Sequence, residues 1–312
     1  MGRFIIAGSL AYDRIMDFPG IFSDHIVPEK MHALSVSFFV PELRESFGGC
    51  AGNIAYTLSL FGHTPTVLGT VGNDFASYEA WLEEHGIDLS LVRKMPDLRT
   101  AFASIITDRK NNQIAAFYPG AMKTAYPVSD LRFTKDDFVL ISPESPDLMR
   151  ALPQLARETH GFMYDPGQQT PLLSKEDLED GMRAAKALIV NDYELSLILE
   201  KTGWKELEIL DHAETLIVTL GEAGSRIRTR DMEFNIPPAK PARVVDPTGA
   251  GDAYRAGFSA GMIRGSSLET AGKMGSLAAC YTVETAGTQT HSFTQEEFAK
   301  RYEENFNEPL SV

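Results

Sequence analysis

The stretch Arg243-Val244-Val245-Asp246-Pro247-Thr248-Gly249-Ala250-Gly251-Asp252-Ala253-Tyr254 decides how the chain is read. The two valines suggest the end of an apolar strand; small residues follow, and then a helix rich in alanine and glycine over 250–263. The first turn of such a helix carries N–H groups that no intrahelical carbonyl satisfies, and the macrodipole adds roughly half a positive charge there. Gly249 and Gly251 leave that backbone bare, so the N–H groups of Ala250 and Gly251 can approach phosphate oxygens closely. Phosphoryl transfer needs positioning, charge stabilisation and an acceptor for the proton of the attacking hydroxyl. Asp252 has the chemistry for the last role. Plain helix capping suits the same residues, with Asp246 as the cap and Pro247 in the first turn. The turn by itself leaves the two readings even.

Outward from this turn the chain alternates. Apolar runs at 4–7, 66–69, 138–142, 161–164, 187–191 and 216–220 read as short buried strands, and helical periodicity falls at 53–61, 78–86, 147–159, 175–185 and 267–283. Strands separated by helices of this length imply an α/β fold, a doubly wound and mostly parallel sheet with helices on both faces. The run 225–234 reads as a late β meander. Gly8-Ser9, after the first strand, delivers a loop containing Asp13. Two regions break the alternation. Within 14–47 the residues 35–40 look like a strand, and within 98–119 two apolar runs flank the polar turn 108–112, a hairpin pattern. Both regions are expected to form a small β-sheet lid inserted into a single domain spanning 1–312.

Bulk properties narrow the partners. With 312 residues, 43% of them hydrophobic, the chain can bury a sizeable core. A formal net charge of -14 repels polyanions, so no nucleic acid partner is expected and any phosphate site has to be built locally. Cys50 and Cys280 are too few for a disulfide framework or a thiolate zinc cluster and read as buried thiols. The start Met-Gly-Arg-Phe-Ile-Ile-Ala-Gly-Ser lacks a signal-peptide pattern, and no apolar run reaches membrane-spanning length. A cytoplasmic protein without a membrane partner is the expectation. Other phosphate motifs are missing: no phosphate-binding loop ending in Gly-Lys-Ser or Gly-Lys-Thr, no Gly-x-Gly-x-x-Gly after a strand, and no His-Arg-Asp followed by Asp-Phe-Gly.

The turn at 246–252 resembles the second signature of the ribokinase or PfkB carbohydrate kinase family, and Glu45-Ser46-Phe47-Gly48-Gly49-Cys50-Ala51-Gly52-Asn53 resembles the first. The resemblance extends over nearly the whole chain and implies a ribokinase-like core with a β-sheet lid over the acceptor. It implies Asp252 as the catalytic base, with Gly249, Ala250 and Gly251 forming the anion hole. Asp13 and Asn53 would then bind ribose hydroxyls, and Gly48-Gly49 would let the backbone approach the sugar. Asn191-Asp192-Tyr193-Glu194 resembles the family's Asn-x-x-Glu element, in which Glu194 acts through water on the Mg2+ of Mg-ATP and Asn191 assists. Thr219-Leu220-Gly221-Glu222-Ala223-Gly224 resembles the nucleotide-side turn, implying contacts of Thr219, Gly221 and Gly224 with ATP. Family members often hold a monovalent cation such as K+ beside the anion hole, here at Asp246 and Thr248 with carbonyls of 282–287. The local sequence Val283-Glu284-Thr285-Ala286-Gly287-Thr288 departs from the ribokinase form.

Within the family, Ala11-Tyr12-Asp13, the first signature and the run 111–122 are most similar to bacterial and archaeal nucleoside kinases, commonly called adenosine kinases. An ATP-dependent transfer to the 5'-hydroxyl of adenosine or a broader range of purine nucleosides is therefore expected. A purine needs apolar faces for stacking, and Phe38, Phe39, Phe102, Phe117 and Tyr118 crowd the lid regions. Phe102 and Phe117 are expected to face the base and Gln113 to read an edge. The alternatives are a ribokinase- or fructokinase-like sugar kinase and a non-catalytic ligand-binding member of the fold. Lid edges leave a monomer or a homodimer open.

Overall fold

The computed structural model of the chain describes residues 2–26, 35–110 and 112–310. In chain order the elements are β1 (Phe4–Ala7), β2 (Ala11–Asp17), β3 (Leu43–Gly48), α1 (Cys50–Leu60), β4 (Thr66–Val71), α2 (Ala76–Glu84), β5 (Asp88–Lys94), β6 (Ala101–Thr107), β7 (Gln113–Tyr118) and β8 (Phe138–Ile141). They continue with α3 (Pro146–Ala156), β9 (Gly161–Tyr164), α4 (Lys175–Met182), β10 (Ala187–Asn191), α5 (Asp192–Thr202), α6 (Glu206–Ile209), β11 (Leu216–Thr219), β12 (Ser225–Arg228), β13 (Glu233–Ile236), α7 (Ala250–Ile263), α8 (Leu268–Val283) and α9 (Gln295–Phe306).

The large sheet has the order β13-β12-β11-β10-β9-β8-β1-β4-β5. Its strands from β11 to β5 are parallel, and the β12 and β13 meander is antiparallel. Strand alternation divides the apolar residues between two cores. Ile6, Leu140, Met163, Ile189 and Ile217 pack with α1, α7, α8 and α9, whereas Ile5, Val139, Ile141, Leu188 and Val190 pack with α3, α4 and α5. Burial on both faces explains why these strands are continuous apolar runs. Two elements lack such a signal. The edge strand β5 alternates polar and apolar residues, and α9 carries only Phe298 and Tyr302 into the core.

From β1 the chain moves to β4 on one side, and β8 returns on the other, so the connections diverge between β1 and β8. Ligands of open α/β sheets bind at such a switch point, outside the carboxyl ends of the strands. Gly8-Ser9 and Ser142-Pro143 face each other there: the Ser142 N–H donates to Ala7 O at 2.8 Å and the Ser9 N–H to Pro143 O at 3.0 Å.

The small sheet has the order β3-β2-β6-β7, with β2 and β6 parallel and the outer pairs antiparallel. Both regions that break the alternation contribute to it. Asp13 lies on β2, and not in a loop, because the chain after Leu10 runs directly into this second sheet. Residues 35–40 form no strand. Phe38 closes an aromatic cluster with Phe18 and Phe22, at ring separations of 4.9 and 5.0 Å, and Phe39 is 79% exposed. The strand of this region is β3, whose Leu-Arg-Glu-Ser-Phe-Gly sequence is polar because its outer half is exposed. Residues 27–34 of the expected lid and Asn111 of its hairpin turn lie outside the described residues. The hairpin is tied by Asp108, which accepts N–H bonds from Lys110 and Asn112 at 2.8 and 2.9 Å.

Two close approaches hold the site ends together. Gly49, at φ 87°, joins β3 to α1, and a Cβ there would lie 2.5 Å from Ser9 O. Helices α7 and α8 cross backbone to backbone: a Cβ on Gly257 would meet Met274 O at 2.5 Å and the Ala278 Cβ at 2.9 Å. Gly257→Ala is therefore expected to lower unfolding stability by about 1–3 kcal/mol in urea denaturation. An unchanged midpoint would mean that the two helices can part without cost.

Candidate active site

Helix α7 begins at Gly249, which has φ 79° and lies against Thr288: a Cβ would sit 2.9 Å from the Thr288 methyl. No side chain caps this helix. Asp246, the obvious cap in sequence, turns elsewhere, accepting the Thr248 N–H at 2.9 Å and the Gly287 N–H at 3.2 Å. The helix start thus has no side-chain cap, and the Ala250 N–H makes only a long bond to Pro247 O at 3.3 Å; such a helix end can receive anions. The expected strand before it is absent. Val244 and Val245 are 69% and 46% exposed, and the Val245 N–H donates to Val283 O at 2.7 Å.

Asp252 lies on the first turn of α7, and its Oδ2 accepts from Asn53 Nδ2 at 2.8 Å, across 199 residues of chain. Burial pushes its carboxyl up to about 6, against the lowering effects of the Arg255 charge and the Asn53 hydrogen bond. Asp13 on β2 is pushed up to about 6 as well, first by burial and then by the charges of Asp252 and Asp246. The Asp13 carboxylate from the lid sheet therefore shares one field with those of Asp246 and Asp252, which come from a single distant turn. Gly48 makes room for one of them, since a Cβ there would lie 2.3 Å from Asp13 Oδ2.

The residues expected on the nucleotide side gather at the carboxyl ends of β10 and β11, where Asn191 and Thr219 are in register. Asn191 and Glu194 form a reciprocal cap of α5: the Glu194 N–H donates to Asn191 Oδ1 at 2.7 Å and the Asn191 N–H to Glu194 Oε2 at 2.8 Å. Burial and the Asp165 charge raise Glu194, with Arg255 opposing, so this carboxylate reaches the same field as Asp252. Gly221 at φ 57° has open space beside it, whereas a Cβ on Gly224 would lie 2.1 Å from Ile236 O. Gly221 can admit a ligand; Gly224 is required by the meander.

The lid residues separate. Register pairs Asp13 with Ala103 and Ala103 with Phe117, so Phe117 and, two pairs along, Gln113 share the Asp13 face. Phe102 belongs to the opposite face, where the Arg14 guanidinium lies 4.2 Å from its ring and Tyr118 packs at 5.0 Å. The expectation that Phe102 faces a base is corrected: strand alternation turns it away from Asp13. Phe117 is 53% exposed, and the Gln113 amide lies 3.4 Å from the Thr107 hydroxyl.

Several site residues carry no signal in sequence. Arg255, one turn after Asp252, is buried and donates to both oxygens of Asp165 at 2.5 and 2.6 Å and to Gly251 O at 2.9 Å. Pairing with a buried carboxylate makes burial of the guanidinium tolerable. Ser142 donates to the same Asp165 at 3.0 Å. Glu144, fully buried after β8, is pushed up to about 8 by burial and leaves Oε1 without a partner. Gln289, on the loop after α8, donates to Asn53 Oδ1 at 3.0 Å. An arginine spaced three residues after an aspartate on a helix was the one local hint available.

A family model described as pfkB family carbohydrate kinase matches residues 15–295. The chain belongs to this family. The PfkB likeness is close in particular relatives. It is 33% identical over 279 residues to a nucleoside kinase of Methanocaldococcus jannaschii, covering 89% of this chain and 92% of that one. A Burkholderia thailandensis nucleoside kinase solved with inosine superposes with a TM-score of 0.89 at 38% identity, covering 98% of both chains. The same enzyme with ADP-inosine gives a TM-score of 0.85 at 39% identity, covering 98% of this chain and 97% of that one. The fold is thus ribokinase-like, an α/β core with a small lid sheet.

A carboxyl raised by burial makes the folded state less stable once it ionises. Its stabilising effect is full below the unfolded value of about 3.9 and is lost as pH rises through the folded value. Asp252→Asn is therefore expected to melt higher than the parent near pH 7, with the difference shrinking below pH about 4. Equal melting temperatures at neutral pH would contradict the buried, ionised carboxylate.

Proposed function

We propose that this PfkB-family chain is an ATP-dependent nucleoside kinase that phosphorylates the 5'-hydroxyl of a purine nucleoside, with Asp252 as the general base. The observation that carries the reading is the Asp252 carboxylate at the uncapped start of α7, bound at 2.8 Å to Asn53 and sharing its field with Asp13. That is an acceptor site and an anion site meeting at one oxygen. The nucleoside as acceptor is supported by the nucleoside kinases to which the chain is similar, including one solved with inosine and with ADP-inosine.

In this mechanism Asp13 and Asn53 hold the ribose hydroxyls, while the Gly48 and Gly49 backbone lies close to the sugar. Phe117 and Gln113 are the lid residues on the acceptor face. Asp252 takes the proton of the 5'-hydroxyl as its oxygen bonds to the γ-phosphorus, and the bond from that phosphorus to the ADP oxygen breaks. The N–H groups of Ala250 and Gly251, behind Gly249, steady the charge on the moving phosphoryl group. Asn191, Thr219 and Gly221 line the ATP side, and Gly224 shapes the turn that presents them.

Among the described residues no group of three His, Cys, Asp or Glu could ligate a metal directly. A carboxylate acting through water suits that surrounding: Glu194 uses Oε2 in its cap and keeps Oε1 for such a role. Mg2+ there would neutralise charge on the ATP phosphates. Each Asp246 oxygen accepts one N–H bond and keeps a lone pair, so a monovalent cation near Asp246 and Thr248 would be held by that carboxylate together with backbone carbonyls.

A coupled assay for ADP with adenosine, inosine, ribose and fructose at fixed Mg-ATP tests the acceptor. A nucleoside is expected to lead, and a free sugar far ahead of every nucleoside would overturn the reading. Asp252→Asn should reduce turnover by about 10²- to 10⁴-fold with nucleoside affinity nearly intact. Since the base must be ionised, kcat/KM should rise with pH through about 6, the value to which Asp252 is raised. Activity independent of pH from 5 to 8, as a rough working window for a carboxylate base, would remove Asp252 from that role.

A further inference from the structure

Behind the Asn53 and Asp252 pair lies a chain of hydrogen bonds whose direction is set at both ends. Trp81 Nε1 donates to Gln289 Oε1 at 3.2 Å, Gln289 Nε2 donates to Asn53 Oδ1 at 3.0 Å, and Asn53 Nδ2 donates to Asp252 Oδ2 at 2.8 Å. An indole N–H can only donate and an ionised carboxylate can only accept, so neither intervening amide can be reversed without breaking a bond. Gln289 Nε2 also donates to Tyr78 Oη at 2.5 Å, which donates to Gly48 O at 2.9 Å. The side chain of Gln289 is buried, with the residue 3% exposed. It therefore joins Asn53, through it Asp252, and through Tyr78 the backbone of the lid strand, and its donors and acceptor are all in use. A purely structural glutamine does not require this order of polarity.

We propose that Gln289 is a positioning residue that locks the Asn53 amide with its nitrogen toward Asp252, keeping that carboxylate ready to accept the substrate proton. The inference rests on the kinase reading above and deepens it. Reversal of the Asn53 amide would set its oxygen against the Asp252 carboxylate, and two acceptors in contact favour the protonated acid. Charged and titratable groups around Asp252 are Arg255 and Asp165, Asp13 from the lid sheet, and the Cys50 thiol and Tyr78 phenol. Of these only Tyr78 touches Gln289, whose amide it accepts at 2.5 Å, and Trp81→Phe leaves that contact in place and so separates the amide lock from any effect through Tyr78.

The test compares the intact protein with Gln289→Glu, Gln289→Leu and Trp81→Phe. The carboxyl of Asp252 is followed directly by carbon NMR titration without ligands, and kcat/KM for a nucleoside is followed against pH. In Gln289→Glu both the titration of Asp252 and the acid limb of the rate profile should move upward by about one pH unit or more, about tenfold in proton affinity. Gln289→Leu and Trp81→Phe should shift them in the same direction by less. Unmoved titration in folded Leu and Phe variants, or a loss of melting temperature with an unshifted profile, would overturn the proposal. The NMR arm stands without turnover, so a chain that phosphorylates no nucleoside would fail the kinase reading while leaving the amide lock tested.

Discussion

One hydrogen bond organises the site, that from Asn53 to Asp252. It joins the first turn of α1 to the first turn of α7, two helices on the same face of the large sheet whose starts both open at the carboxyl ends of its strands. Each helix reaches that place by a glycine that tolerates a backbone approach no other residue could: Gly49 against Ser9 and Gly249 against Thr288. Close contact at these two points brings the lid strand that carries Asp13 and the start of α7, which has no side-chain cap, to one carboxylate.

The electrostatic setting follows from the same convergence. A net charge of -14 and three acidic side chains close enough to act on one another would be unfavourable if all were free. Here Arg255 and Asp165 neutralise each other in a buried pair below the α7 turn, and Asp246 is tied to backbone N–H groups. Asp252 is left as a desolvated acceptor held by the Asn53 amide, with the Cys50 thiol nearby. Such a group has a raised proton affinity suited to a general base near neutral pH.

Much of the core was legible because its signals are local. Apolar runs at Ile5, Leu140, Met163 and Ile189 lie on strands buried on both faces, and glycine punctuation marks where they end. Asp13, Gly48, Asn53, Glu194 and Asp252 could be named because each sits in a short contiguous pattern of a resembled family; the fold sets Asp13 and Gly48 on the small sheet and Asn53, Glu194 and Asp252 on the first turns of helices. Gln289, Arg255 and Asp165 left no such pattern, since their partners are supplied by distant parts of the chain. Phe102 illustrates the reverse case. Its aromatic character was plain, but which way it pointed depended on the register of β6 against β2.

The sequence by itself determined the alternation of strands and helices, the existence of a lid and the helix start carrying Asp252, because hydrophobic periodicity and glycine placement act over a few residues. Only the tertiary structure decided that Asp246 does not cap that helix, that Phe102 turns away from the face carrying Asp13, and that Asn53 presents its nitrogen to Asp252. Those outcomes depend on which donors and acceptors meet across the folded chain, and a hydrogen bond spanning 199 residues has no local signature.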